Sequence, residues 1–127
     1  MQNCILHDNS WGLTSTAANV SFYNCQLYNC GVGLSISGNN NLIDNCQISG
    51  TDIGIMLGGS GCTVKNTIIA NAFLGMLIER CNNTTIFNNS ITGTDIGIIL
   101  RGIDSILTTI LSNNTLWNNT IDIKNEL

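Results

Sequence analysis

The residues able to do acid–base or nucleophilic work are few. Six aspartates and two glutamates supply the carboxylates, His7 is the single imidazole, and six cysteines supply the thiols. Two aspartates invite pairing, because GTDIGI stands at residues 50–55 and again at 93–98 and places Asp52 and Asp95 in matching settings. Glycoside hydrolysis needs such a carboxylate pair, roughly 5–5.5 Å apart for retention and about 6.5–9.5 Å apart for inversion. Whether these two can meet depends on why the stretch is duplicated.

The duplication is part of a longer repeat. Asparagine recurs at Asn3, Asn24, Asn45, Asn66, Asn88 and Asn113, with spacings of 21, 21, 21, 22 and 25. Three residues after each anchor stands an apolar residue (Leu6, Leu27, Ile48, Ile69, Ile91, Leu116), and five after it stands Asp8, Asn29, Gly50, Asn71, Gly93 or Asn118. Those last types tolerate a left-handed backbone, so a turn recurs at one place in every unit. Nine after the anchor comes glycine, at Gly12, Gly33, Gly54, Gly75 and Gly97, with Asp122 in the last unit. Apolar residues flank that position, and runs such as Val32-Leu34-Ile36 and Ile53-Ile55-Leu57 alternate with period two, the pattern of a strand with one buried face. Ile53-Ile55 and Ile96-Ile98 are therefore expected to point inward.

Short strands joined by turns, in units of 21–25 residues, stack as the coils of an all-β parallel solenoid. Six coils at ~4.8 Å put about 24 Å between first and last. The anchored asparagines, the apolar-Gly-apolar strands and the asparagine-rich turns resemble the right-handed parallel β-helix repeats of the pectin-lyase-like superfamily. The resemblance covers essentially all of residues 1–127, expected to form a single domain with no obvious end caps. It also implies an extracellular or cell-surface setting, although no signal peptide is visible at the start of the chain. Met1 already aligns with the repeat, which makes the chain either a fragment of a longer β-helix or a unit whose uncapped ends self-associate.

Placed in columns, the unusual residues become legible. Cys4, Cys25 and Cys46 share one column, continued by Thr67, Asn89 and Asn114, and small buried thiols in a ladder account for them. None of the six cysteines falls in a CxxC or Cys/His metal spacing, so no metal or other cofactor is expected. The anchor asparagines are expected to bond the backbone of the neighbouring coil, partly buried, which makes structural residues of the several Asn-x-Ser/Thr triplets that coincide with them. Opposite charges share columns at Asp44 with Lys65 and at Glu79 with Arg101. His7 lies on an outward column with Tyr28.

The superfamily includes polysaccharide lyases and hydrolases, so an enzyme is the first alternative. Asp52 and Asp95 lie two coils apart, ~9.6 Å by strand spacing, with Phe73 between them in the column. The separation is long for an inverting pair, and the same distance excludes a shared calcium. These two aspartates read instead as turn residues bonding nearby backbone amides. Asp104 stands alone in the short excursion between Gly102 and Thr109. A lyase-like motif containing proline is impossible, because the chain has none. No residue is assigned a catalytic role.

Composition narrows the partners. Four Lys+Arg against eight Asp+Glu give a net charge of −4, with no basic footprint for nucleic acid. The apolar runs fall far short of the roughly 20 residues of a membrane span. An ice-binding face would show a regular array of outward threonines, whereas the column tested for it reads Asn9, Cys30, Thr51, Ala72, Thr94, Asn119. The sequence thus predicts a non-catalytic structural module that self-associates or belongs to a larger surface protein. The alternative is a polysaccharide-binding or polysaccharide-processing β-helix, with Tyr23, Tyr28, Phe87 and Trp117 as the sugar-facing aromatics.

Overall fold

The computed structural model describes residues 1–102 and 109–126, so Asp104 lies outside the described residues. The chain winds through three parallel sheets. Sheet I stacks Ile5–His7, Gln26–Tyr28, Gln47–Ser49, Ile68–Ala70, Ser90–Thr92 and Thr115–Trp117. Sheet II stacks Trp11–Ser15, Val32–Ile36, Ile53–Leu57, Leu74–Glu79, Ile96–Arg101 and Ile121–Glu126, and sheet III Ser21–Tyr23, Leu42–Asp44, Thr63–Lys65, Thr85–Phe87 and Ile110–Ser112. Successive coils add strands to the growing edge of each sheet, six in sheets I and II and five in sheet III among the described residues, in the register that the repeat predicts: Leu27 opposes Ile48, and Leu34 opposes Ile55.

Left-handed residues make the corners. The turns expected at Asp8, Asn29, Gly50, Asn71, Gly93 and Asn118 all have positive φ, and so do the six anchor asparagines themselves and, at a third corner, Asn19, Asn40, Gly61 and Asn83. Asparagine dominates these positions because its short amide tolerates the left-handed region, which costs other L-residues roughly 1–2 kcal/mol. Arg80 is the exception, with φ 54°. The ladder runs on through the corners, since the amides of Asn29, Gly50 and Asn71 donate to the carbonyls of Ser49, Ala70 and Thr92 one coil on.

A left-handed corner also aims the next side chain into the core. Cys4, Cys25, Cys30, Cys46, Cys62 and Cys81 each follow a left-handed residue, and all but half-buried Cys4 are buried. The column read for ice binding follows the second corner, so Cys30, Thr51, Ala72 and Thr94 are buried as well. Only the outward placing of this column is corrected: Thr51 and Thr94 face the core. The rest of the core comes from all three sheets, with Leu27, Ile48 and Ile69 from sheet I, Leu34, Ile55 and Met76 from sheet II, and Phe22, Ile43 and Val64 from sheet III.

The strands of sheet II break the simple alternation at their glycine. A Cβ built on Gly54 would point at Ile69 of the core, and Ile55, the next residue, is also fully buried. Two successive residues therefore face inward, and the residue before the glycine is turned out. Ile53 and Ile96, expected inside, pack with Met56, Leu74, Leu77 and Ile99 in a second apolar cluster apart from the core. Leu74, Leu77 and Ile99 are only 5–6% exposed there.

Candidate functional site

The aromatic residues lie on two different sheets. In sheet I one outward column runs His7, Tyr28, Ser49, Ala70, Thr92, Trp117. His7 and Tyr28 stack face to face, 4.8 Å between ring centroids and 3° between planes. Trp117 is exposed at the other end, and the small side chains of Ser49, Ala70 and Thr92 leave a shallow strip between the aromatic ends. In sheet III the column runs Tyr23, Asp44, Lys65, Phe87, so an ion pair of 3.4 Å separates the two rings. Of the four sugar-facing candidates the structure gives only Tyr28 an aromatic neighbour, His7.

The carboxylates do not converge. Asp52 and Asp95 flank exposed Phe73 along one column, and their main-chain groups, rather than their carboxylates, make the coil-to-coil bonds: Asp95 N–H donates to Phe73 O, and Asp52 O accepts from Leu74 N–H. The expected carboxylate-to-amide turn bonds are not formed. The corner is instead closed by the left-handed glycine two residues earlier. Other carboxylates are engaged by neighbours. Asp8 Oδ2 lies 2.7 Å from His7 Nδ1 and its Oδ1 accepts from Asn29, contacts that hold its carboxyl below the usual range. Asp44 accepts from Asn66 as well as facing Lys65. Arg101, expected to pair with Glu79, turns to Glu126 one coil on, at 2.7 Å. Lys124 and Arg101 together hold the Glu126 carboxyl low.

Amides carry most of the side-chain bonding, in two different ways. The anchor asparagines are exposed and bond one another: Asn24 donates to Asn3, Asn45 to Asn24 at 2.6 Å, and Asn88 to Asn66 at 2.7 Å. The expectation that they are partly buried and bond backbone is corrected, because a left-handed residue at a corner projects outward. The residues after the corners do that work. Asn41 donates to Ala17 O and Gly38 O and accepts from Val20 N–H; Asn89 donates to Val64 O and accepts from Thr67 N–H. Sequence reasoning missed this inner set, whose signal is the letter following each left-handed residue.

The cysteines substitute for those inner amides. Cys46 points at Phe22 O and Asp44 O, Cys62 at Gly38 O, and Cys81 at Leu57 O. All six carry thiols rather than disulfides. Burial pushes the Cys46 and Cys81 thiols up to about 11, away from the thiolate that nucleophilic chemistry needs.

Among the described residues no group of three or more His, Cys, Asp or Glu side chains gathers to hold a metal ion, and no helix is long and apolar enough to cross a membrane. A cavity of about 180 Å³ lies at the sixth coil, lined by Ile98, Leu111, Leu116 and Ile123 with Ser112, Asn113 and Asn114. It continues the apolar interior.

Neither the comparison with curated proteins nor that with solved structures returns a match. The family profile described as the right handed beta helix region matches residues 1–121. With three parallel sheets wound in six stacked coils beneath that match, the chain belongs to the right-handed beta helix family.

Proposed function

We propose that the chain is a non-catalytic β-helical scaffold module of a larger surface or extracellular protein. One observation carries this reading: the side-chain amides of the wall and several of its carboxylates are engaged in holding coil to coil. Outer amides bond outer amides, inner amides bond main chain, and Asp8, Asp44 and Glu126 each bridge to a basic or amide partner. Groups engaged in this way serve the rigidity of a rod rather than a reaction. The test is incubation of the purified chain with uronate and neutral polysaccharides, followed by measurement of new chain ends. No cleavage is expected; cleavage abolished by replacing Asp52 or Asp95 would overturn the reading.

A second reading, polysaccharide binding, draws on the stacked His7–Tyr28 pair and Trp117 at opposite ends of one column. Aromatic faces exposed along a flat strip suit the apolar faces of sugar rings. Alanine substitutions at Tyr23, Tyr28, Phe87 and Trp117, screened on a glycan array, separate the two. Binding lost at Tyr28 and Trp117 supports the strip, and binding indifferent to all four removes it.

A further inference from the structure

The glycine column of sheet II is a steric requirement of stacking. A Cβ on Gly97 would lie 2.5 Å from Asp122 O and 2.8 Å from Leu116 Cδ2, both in the next coil. The same backbone contact recurs at 2.4–2.6 Å for each glycine of the column from Gly12 to Gly75, always with the coil that follows. A carbonyl oxygen that is itself part of a sheet has nowhere to retreat. Each coil of this shape therefore accepts a successor only where its own column residue lacks a Cβ.

The sixth coil breaks that condition, because its column residue is Asp122. We propose that Asp122 is a steric stop against head-to-tail stacking of a second copy. Continued in the same register, the first coil of a second copy would bring Gly12 O and the Leu6 side chain onto the Asp122 Cβ, at the distances that glycine avoids five times before. The carboxylate adds to the refusal. It is exposed, with Oδ1 accepting from Asn119 at 3.2 Å, and a stacked coil would bury it at a position facing the apolar core. Neighbouring positions change in the same sense: opposite Ile99 and Leu100 the sixth strand carries Lys124 and Asn125. Charged and polar residues on a strand are the usual device against edge-to-edge pairing. Self-association through the coil ends, which the repeat leads one to expect, is thereby confined to other registers or other surfaces.

The test compares the full chain with Asp122→Gly and Asp122→Ala by light scattering coupled to gel filtration over a hundredfold concentration range, with particle length read by electron microscopy. Asp122 is exposed in the last strand, so both variants are expected to fold, and circular dichroism checks this. The expected result is end-to-end growth for Asp122→Gly, its mass rising with concentration in multiples of 13.6 kDa, and no end-to-end growth for the parent or Asp122→Ala. Growth of Asp122→Ala equal to that of Asp122→Gly would assign the barrier to charge and overturn the steric stop. Failure of Asp122→Gly to grow, or end-to-end rods of the parent chain, would overturn it as well.

Discussion

Asn89 and Asn114 stack inside the wall one coil apart, and Asn114 Oδ1 accepts from both the main-chain N–H and the Nδ2 of Asn89 at 3.0 Å. Asn89 in turn bonds Val64 O and Thr67 N–H, so a single amide ties three coils together. Its burial is nearly complete at 2% exposure, which means that no water replaces a lost partner.

Asn89→Ala should therefore cost about 2–4 kcal/mol, since it strands the Val64 carbonyl and the Thr67 amide in the interior. Asn89→Cys should cost less, because Cys46 occupies the same column and points at Phe22 O in the equivalent way. Asn88→Ala removes only an exposed amide from the outer ladder and should stay within about 1 kcal/mol. Chemical denaturation of the three variants ranks them; a loss at Asn88 equal to that at Asn89 would contradict the division between outer and inner ladders.

A second contrast tests the glycine column within the stack. Gly54→Ala would press a Cβ to 2.6 Å from Gly75 O and 2.8 Å from Ile69, and should cost upward of ~3 kcal/mol or prevent folding. Gly58 directly follows the strand that ends at Leu57, and an added Cβ there meets nothing closer than 3.9 Å. Gly58→Ala should be neutral or stabilise by up to about 1 kcal/mol through the unfolded chain. Melting of the two variants against the parent decides it, and an unperturbed Gly54→Ala would remove the close-contact argument.

Much of this was legible because stacking turns a spacing into a contact. The 21-residue interval placed Leu27 against Ile48 and Asp44 against Lys65 with no other information. Direction was harder. The run Ile53-Gly54-Ile55 looks like strict alternation, but Gly54 and Ile55 both face inward, so Ile53 leaves the core while Ile55 enters it. The asparagines hid a similar ambiguity. Asn88 and Asn89 are the same letter side by side, and only the left-handed backbone of Asn88 sends one amide out and the other in. The site was the least legible, because sharing a column says that two rings are aligned, not that they touch: His7 meets Tyr28, whereas Asp44 and Lys65 stand between Tyr23 and Phe87.

The charges at the last strand predict an acid response. Lys124 and Arg101 hold the Glu126 carboxyl below its ordinary value of 4.5, so its contribution to stability is present above that value and is lost as pH falls through the lowered one. Glu126→Gln removes both pairs and should reduce the loss of stability between pH 7 and pH 3, measured as the shift of a urea midpoint. An acid loss as large as that of the parent would show that these exposed pairs contribute nothing.

The buried thiols predict the opposite limb. Burial raises Cys46 and Cys81 to about 11 from an ordinary 9.0, so the folded chain holds protons that the unfolded chain has released. Their contribution is complete below pH ~9 and drains away as pH climbs toward ~11. Stability should fall across that window, and Cys46→Ser with Cys81→Ser should flatten the fall even while lowering stability at neutral pH. Thiol labelling gives an independent reading of the same burial. At neutral pH a maleimide should modify half-exposed Cys4 first and the other five cysteines only after denaturant is added. Rapid labelling of Cys46 or Cys81 in the native chain would mean that the wall opens locally at those coils, and the inner ladder would then be weaker than its bonds to Phe22 O and Leu57 O imply.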